Sequence, residues 1–213
     1  MFFLREQNKS FPQKIFILIC LCGTVFLVLF NNRYPLDLRP IVIIVCVTIY
    51  LIRLIIMFFI FLKRKILWSE AFEIAFLMSI VLFVITYTGK INLTSLTAID
   101  IIGVFIYILG SFINTYSECL RYKWKKNPKN KGHIYKYGLF KYSMHINYFG
   151  DVLLFTGLSI LTGTFWTLII PVGMLLNFIA FTIPSLDSYL SQKYGDKFTE
   201  YSKNTKKIIP YIY

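Results

Sequence analysis

The sequence predicts an all-α integral membrane bundle of about six transmembrane helices with a C-terminal interfacial helix. Three observations lead there. Of the 213 residues, 57% are apolar or aromatic and 15% are charged, whereas a soluble globular domain carries roughly 25% charged residues. Apolar runs fill the chain from one end to the other, so residues 1–213 read as a single membrane domain. Finally, the cations collect on alternate loops, as they do beside the cytoplasmic ends of membrane helices. This composition excludes a soluble enzyme, a disordered chain and a collagen-like one.

A bilayer core about 30 Å thick needs roughly 20 helical residues. Six runs qualify: Ile15 to Phe30, Ile41 to Leu62, Ala71 to Thr88, Leu96 to Tyr116, Ile146 to Leu161, and Phe165 to Ile183. Pro40 and Pro184 mark two of the boundaries. The last two runs are joined only by Thr162-Gly163-Thr164, which requires a tight antiparallel hairpin. In the tail, Leu186, Tyr189, Leu190, Tyr194, Phe198 and Tyr201 recur at helical spacing with Lys193, Lys197, Glu200 and Lys203 interleaved, the pattern of a helix lying at the membrane interface.

The net charge of +13 comes from 23 Lys and Arg against 10 Asp and Glu. Nineteen of the 23 fall in four segments of one side: the N-terminal flank (Arg5, Lys9, Lys14), residues 63–65, residues 117–145 and the tail after Pro184. Arg33, Arg39 and Lys90 fall on the other side, and Arg53 lies within a span. Both termini are therefore expected to be cytoplasmic, in the plasma membrane of a bacterium or the endoplasmic reticulum of a eukaryote. The first run has basic residues ahead of it, as a signal peptide does, but no small-residue cleavage site follows Phe30, so it is expected to be retained.

Cys20, Cys22, Cys46 and Cys119 lie in or beside apolar runs and read as small buried hydrophobes, and neither His133 nor His145 stands near Cys20 and Cys22. No metal site is expected. Patterns for dinucleotide, phosphate, zinc-protease or hydrolase sites do not occur. Chemistry must therefore come from polar residues in or beside the spans, where each needs a partner or a purpose. Arg53 and Glu73 are expected to pair between helices, Asp100 to be hydrated, and Glu118 and Arg121 to form a local ion pair. Asn147 and Asp151 are four apart on one helix face, where a basic segment enters the membrane, with His145 and Tyr148 beside them.

That basic segment, Arg121 to Lys141, interleaves eight cations with Tyr122, Trp124, Tyr135, Tyr137 and Phe140, and Gly132 and Gly138 punctuate it. As a topology signal it needs only charge, and it would also anchor anionic lipid. Aromatic faces, cations and close-approach glycines together suit an anionic nucleotide cofactor. Nucleic acid is not an expected partner, because a face pressed against a bilayer offers no platform for a strand.

Tyr137 to Asp151 reads YGLFKYSMHINYFGD and resembles the G-L-x-R-Y-x-R-H-P-N-Y-x-G-D/E segment of the steroid 5-alpha-reductase C-terminal family, which includes bacterial members of unknown function and sterol double-bond reductases. Arg121 to Phe140 is similar to that family's basic and aromatic approach. KYGDKFTEYSKNTKKIIPYIY from Lys193 resembles its closing pattern of K-Y-G, a later tyrosine and P-Y-I-Y. The likeness runs from about residue 114 to 213. Two positions depart from the pattern: Met144 stands where the family usually has Arg, and Ile146 where many members have Pro. A bidentate phosphate contact is thereby lost at residue 144, leaving Arg121, Lys125 and Lys141 to compensate.

The resemblance implies a membrane-embedded, NADPH-dependent reductase of a carbon–carbon double bond in a lipid or steroid-like enone. It implies that Arg121, Lys125, His145, Asn147, Tyr148, Asp151 and Tyr201 line the cofactor site. A proton donor is also required, with Tyr148 first and Glu73 and Tyr116 behind it. The same superfamily contains membrane methyltransferases of the isoprenylcysteine carboxyl type, so a transferase using S-adenosylmethionine on a lipid or prenylated substrate is the alternative. Asn147-Tyr148-Phe149-Gly150-Asp151 and the Pro210 to Tyr213 ending are closer to the reductases, and only Asp187 stands where the methyltransferases carry an acidic pair. A non-catalytic scaffold of the same fold is the third reading.

Overall fold

The computed structural model describes residues 10–30 and 37–213; Arg5, Lys9 and Arg33 of the charge count lie outside the described residues. The described chain is built of helices: α1 Phe11–Leu29, α2 Leu38–Phe61, α3 Trp68–Ile91, α4 Ala98–Lys125, α5 Ile146–Leu161, α6 Phe165–Tyr194 and α7 Asp196–Asn204. Five of them (α1 to α4 and α6) are long and apolar enough to cross a membrane. The fifth expected span, α5, has 16 residues, about 24 Å at 1.5 Å per residue, and is shorter than a bilayer core. The protein is an all-α integral membrane protein.

Helix ends differ from the hydropathy runs because backbone hydrogen bonding does not stop where apolarity does. Helix α4 continues past Tyr116 to Lys125. Helix α6 passes through Pro184 to Tyr194 instead of ending at Ile183. Proline lacks the N–H that would reach the Ala180 carbonyl, and the π turn at Phe178–Thr182 lies where that bond is missing. The expected single tail helix is two: Gly195, at φ +54°, breaks α6 from α7 in a conformation that favours glycine.

The chain divides into two compact units, residues 1–103 with 158–167, and residues 104–157 with 168–213. In the first, α1 packs along α3 around Ile17, Leu21, Leu82 and Ile85, all fully buried. Lys14 and Lys90, which sequence assigns to opposite sides as topology signals, are buried helix caps. Lys14 Nζ donates to the Phe58 carbonyl (2.6 Å) in the π turn that ends α2. Lys90 Nζ donates to the last carbonyls of α1, Val28 (2.7 Å) and Leu29 (2.8 Å). Unsatisfied carbonyls at helix ends attract such cations.

Asp100 is not hydrated. It is buried and held by Arg39, whose Nη1 lies 2.5 Å from its Oδ1, and by the Thr97 N–H (2.7 Å). Arg39 also donates to the carbonyls of Leu161 (2.8 Å) and Ser95 (3.1 Å), so every face of the guanidinium is used. The hairpin turn lies beside it: Gly163 has φ +70°, and a Cβ there would meet Asn92 Nδ2 at 2.5 Å and Arg39 Nη1 at 2.8 Å. Pro171 cannot supply an N–H to the Thr167 carbonyl, and the Ser159 hydroxyl donates to it instead (3.0 Å). The expected Arg53–Glu73 pair is not formed among the described residues; Glu73 is exposed on α3. Of the cysteines, Cys46 is buried but Cys22 is exposed, on a face of α1 that an apolar span turns to lipid.

Candidate active site

Within the second unit, α4 and α5 cross at two glycines. A Cβ on Gly110 would meet the Gly150 carbonyl at 2.6 Å, and one on Gly150 would meet the Asn114 N at 2.6 Å. Close helix approach at Gly110 is the packing its sequence context permits, and here it places Asn114, one turn on, against the start of α5. Asn114 Nδ2 donates to the Asn147 carbonyl (3.0 Å) and to Asp151 Oδ1 (2.8 Å). Asn114 thus ties the backbone of Asn147 and the side chain of Asp151 to α4. Asn114 is buried. It escaped sequence reasoning because a single Asn in an apolar run marks no partner; only its place one turn from Gly110 pointed to it.

A second cluster surrounds Phe140. Arg121 lies with its guanidinium carbon 5.3 Å from the centre of that ring and pairs with Glu118, the expected local ion pair. The Tyr201 hydroxyl donates to the Phe140 carbonyl (2.5 Å). Burial holds the Tyr201 hydroxyl above the ordinary phenol range, partly offset by Arg121. Burial likewise raises Tyr135, which packs with Phe140 and Ile146. Tyr201 therefore stays a neutral donor. Lys125, at the end of α4, is exposed.

The third cluster is a stack. His145 and Tyr148 lie parallel within 15° at 5.8 Å between ring centres, and Tyr148 lies on Phe178 at 4.7 Å. Phe178 opens the π turn of α6, a distortion that often accompanies functional sites. His145 Nε2 donates to Asp187 Oδ1 (2.8 Å). The backbone around His145 is held by the end of the chain: Met144 N–H donates to the Lys206 carbonyl (2.8 Å) and His145 N–H to the Lys207 carbonyl (2.9 Å). Met144 is buried among Phe198, Tyr201, Leu190 and Tyr194. Its position packs α7, so an apolar side chain is at home there. Ile146 fills the cluster of Tyr135 and Phe140 in the same manner.

Of the residues the resemblance nominates, the second unit contains Arg121, Lys125, His145, Asn147, Tyr148, Asp151 and Tyr201, in these three clusters and at the end of α4. Tyr116 is on α4, two residues from Asn114 and so on a different face, exposed and stacked on Phe112. Glu73 belongs to the first unit. That unit also has an apolar cleft of about 470 Å³ lined by Phe83, Tyr87, Ile91 and Trp166, which holds no cation for an anionic ligand.

Known proteins resemble this part of the chain. A family model described as protein of unknown function DUF1295 matches residues 63–205. The 3-oxo-5-alpha-steroid 4-dehydrogenase 2 of Mus musculus is 29% identical over 112 residues, 53% of this chain and 42% of that protein. Its Homo sapiens counterpart is 27% identical over 113 residues with the same coverage. A protein of Ustilaginoidea virens named "Probable O-methyltransferase ustE" is 31% identical over 98 residues, 45% of this chain and 34% of its own length. The chain thus matches less than half the length of these relatives. On the family model, which covers well over half of the sequence, the chain belongs to the DUF1295 family, of the steroid 5-alpha-reductase C-terminal type.

Proposed function

We propose that the protein is a membrane-embedded reductase that uses NADPH to saturate a carbon–carbon double bond of a lipid or steroid-like enone. The observation that carries this reading is the bond of Asn114 to the Asp151 carboxylate and the Asn147 backbone carbonyl, beside a basic and aromatic segment, in a chain similar to steroid dehydrogenases. The residues fit a dinucleotide: Arg121 and Lys125 would take phosphates, Asn147 and Asp151 ribose or carboxamide donors, and Tyr148 the nicotinamide edge. When bound, NADPH supplies a hydride to the β carbon of the enone.

The chain's own residues do the rest. Asn114 occupies one oxygen of Asp151 and so fixes the direction of the other. Tyr201 and Phe140 hold Arg121 over the basic segment. Tyr148 polarises the carbonyl with its hydroxyl proton, or delivers that proton to the α carbon, and is reprotonated from water. An apolar substrate reaches the bundle through lipid and the anionic cofactor through water, so a basic face over an apolar interior suits both. The charge distribution supports a cytoplasmic position for both termini.

The relative named as an O-methyltransferase favours one other reading, methyl transfer, here with S-adenosylmethionine as donor and a lipid as acceptor, which needs no proton donor. Calorimetric titration of the detergent-purified protein with NADPH and with S-adenosylmethionine separates the two. Saturable NADPH binding that weakens with salt and is lost in Asp151→Ala is the expected result. Binding of S-adenosylmethionine alone makes the protein a transferase, and binding of neither leaves the scaffold.

A further inference from the structure

His145 is a buried side chain, 2% exposed, in the turn immediately before α5. What fixes its ring is a carboxylate 42 residues further along the chain. Asp187 receives His145 Nε2 on one oxygen at 2.8 Å and has Lys207 Nζ 3.5 Å from the other. Three parts of the chain meet at this carboxylate: the turn before α5, the last third of α6 and the segment after α7. Asp187 is 16% exposed and Lys207 46%, so the pair closes the outer edge of the cluster while His145 is its inner member.

Helix geometry explains why Asp187 can reach. In an unbroken α-helix, residues nine apart are rotated by about 180° and face opposite ways. Phe178 and Asp187 are nine apart, yet Phe178 lies on Tyr148 and Asp187 on His145, which are stacked on each other. The π turn Phe178–Thr182 lies between them and under-winds the helix, which turns Asp187 toward the stack.

We propose that Asp187 is the positioning residue of this site: it holds His145 with the proton on Nε2, leaves Nδ1 as an acceptor, and through the ring stack sets the angle of Tyr148. The second partner of a histidine decides which ring nitrogen carries the proton. Among the described residues, no hydrogen bond engages His145 Nδ1. The ligand group it would meet is a donor, an amide or hydroxyl of the cofactor, and in that respect the inference rests on the function proposed above. Lys207 Nζ lies beside the other oxygen of Asp187, opposite the one that faces His145.

The test is nitrogen-15 NMR of histidine-labelled protein. The chain has two histidines, and the signal of exposed His133 is identified with His133→Gln. In wild type, His145 is expected as the single tautomer protonated at Nε2. Asp187→Ala is expected to give a mixture of tautomers and at least tenfold weaker NADPH binding; Asp187→Asn, nearly isosteric, to shift the His145 signals with a smaller loss of affinity. Lys207→Ala is expected to alter the same signals in the folded chain. His145 signals identical in wild type and both Asp187 variants would overturn the inference. So would altered signals with NADPH affinity unchanged within twofold. If wild type binds no NADPH while the Asp187 variants change the His145 tautomer, the positioning role stands and the reductase reading falls.

Discussion

The Tyr201 hydroxyl shows how one buried group ties packing to pH. Its bond to the Phe140 carbonyl joins α7 to the basic segment, and Tyr201→Phe is expected to cost about 1 kcal/mol in thermal unfolding of the detergent-purified protein. Burial raises its folded-state titration above the ordinary phenol value. The stability that the neutral hydroxyl contributes is therefore complete below pH about 10 and lost as pH rises toward the folded value. Wild type should lose stability on that alkaline limb, and Tyr201→Phe should flatten it; equal slopes would separate Tyr201 from the effect. Sequence showed Tyr201 only through resemblance, since a tyrosine at helical spacing in an amphipathic tail reads first as an interface anchor. Glu118 and Arg121 were legible outright, because three residues on a helix is a local relation. Asp100 with Arg39 was not, because those residues are 61 apart and each alone looks like a hydrated loop charge.

At the scale of elements, periodicity and length located the membrane helices, whereas their crossings depended on glycines whose partners a linear reading does not display. Gly150→Ala puts a methyl group 2.6 Å from the Asn114 amide nitrogen. The crossing must open, and Asn114 withdraws from Asp151. The expected outcome is loss of cofactor binding with a thermal midpoint lowered by several degrees, read by calorimetry and by fluorescence melting on the same preparation; Gly173→Ala, which meets nothing within 4 Å, should change neither. The π turns were equally hidden. Pro184 announces an end of helix in sequence, but α6 continues because the missing N–H costs one bond that a local widening accommodates.

At the scale of the molecule, hydropathy and charge set the class, and burial revises part of the charge argument. Lys14, Arg39 and Lys90 satisfy helix ends and a carboxylate inside the first unit, so not every cation is there to set topology. Arg39→Ala would leave Asp100 buried without its partner and is expected to destabilise by about 3–5 kcal/mol, while Arg39→Met with Asp100→Leu recovers most of that in the same melt. For orientation, single cysteines at Leu93 and Ser202 in a cysteine-free background should react oppositely with an impermeant maleimide: Leu93→Cys in intact cells, Ser202→Cys only after permeabilisation. Labelling of Ser202→Cys in intact cells would reverse the bundle.

The pairing of residues 143–145 with 206–208 also sets an order of events in synthesis. Ser143 donates to the carbonyls of Lys207 and Ile208, and Ile208 is fully buried. A ribosome adds roughly 5–20 residues per second, so for several seconds the inserted chain carries its basic segment and the first residues of α5 without the strand that orders them. On the proposed function, a nascent or prematurely terminated chain is expected to be inert and not partly active. On the same reading, residues 206–208 complete the ligand site, and a chain stopped at Thr205 is expected to insert normally and bind no cofactor.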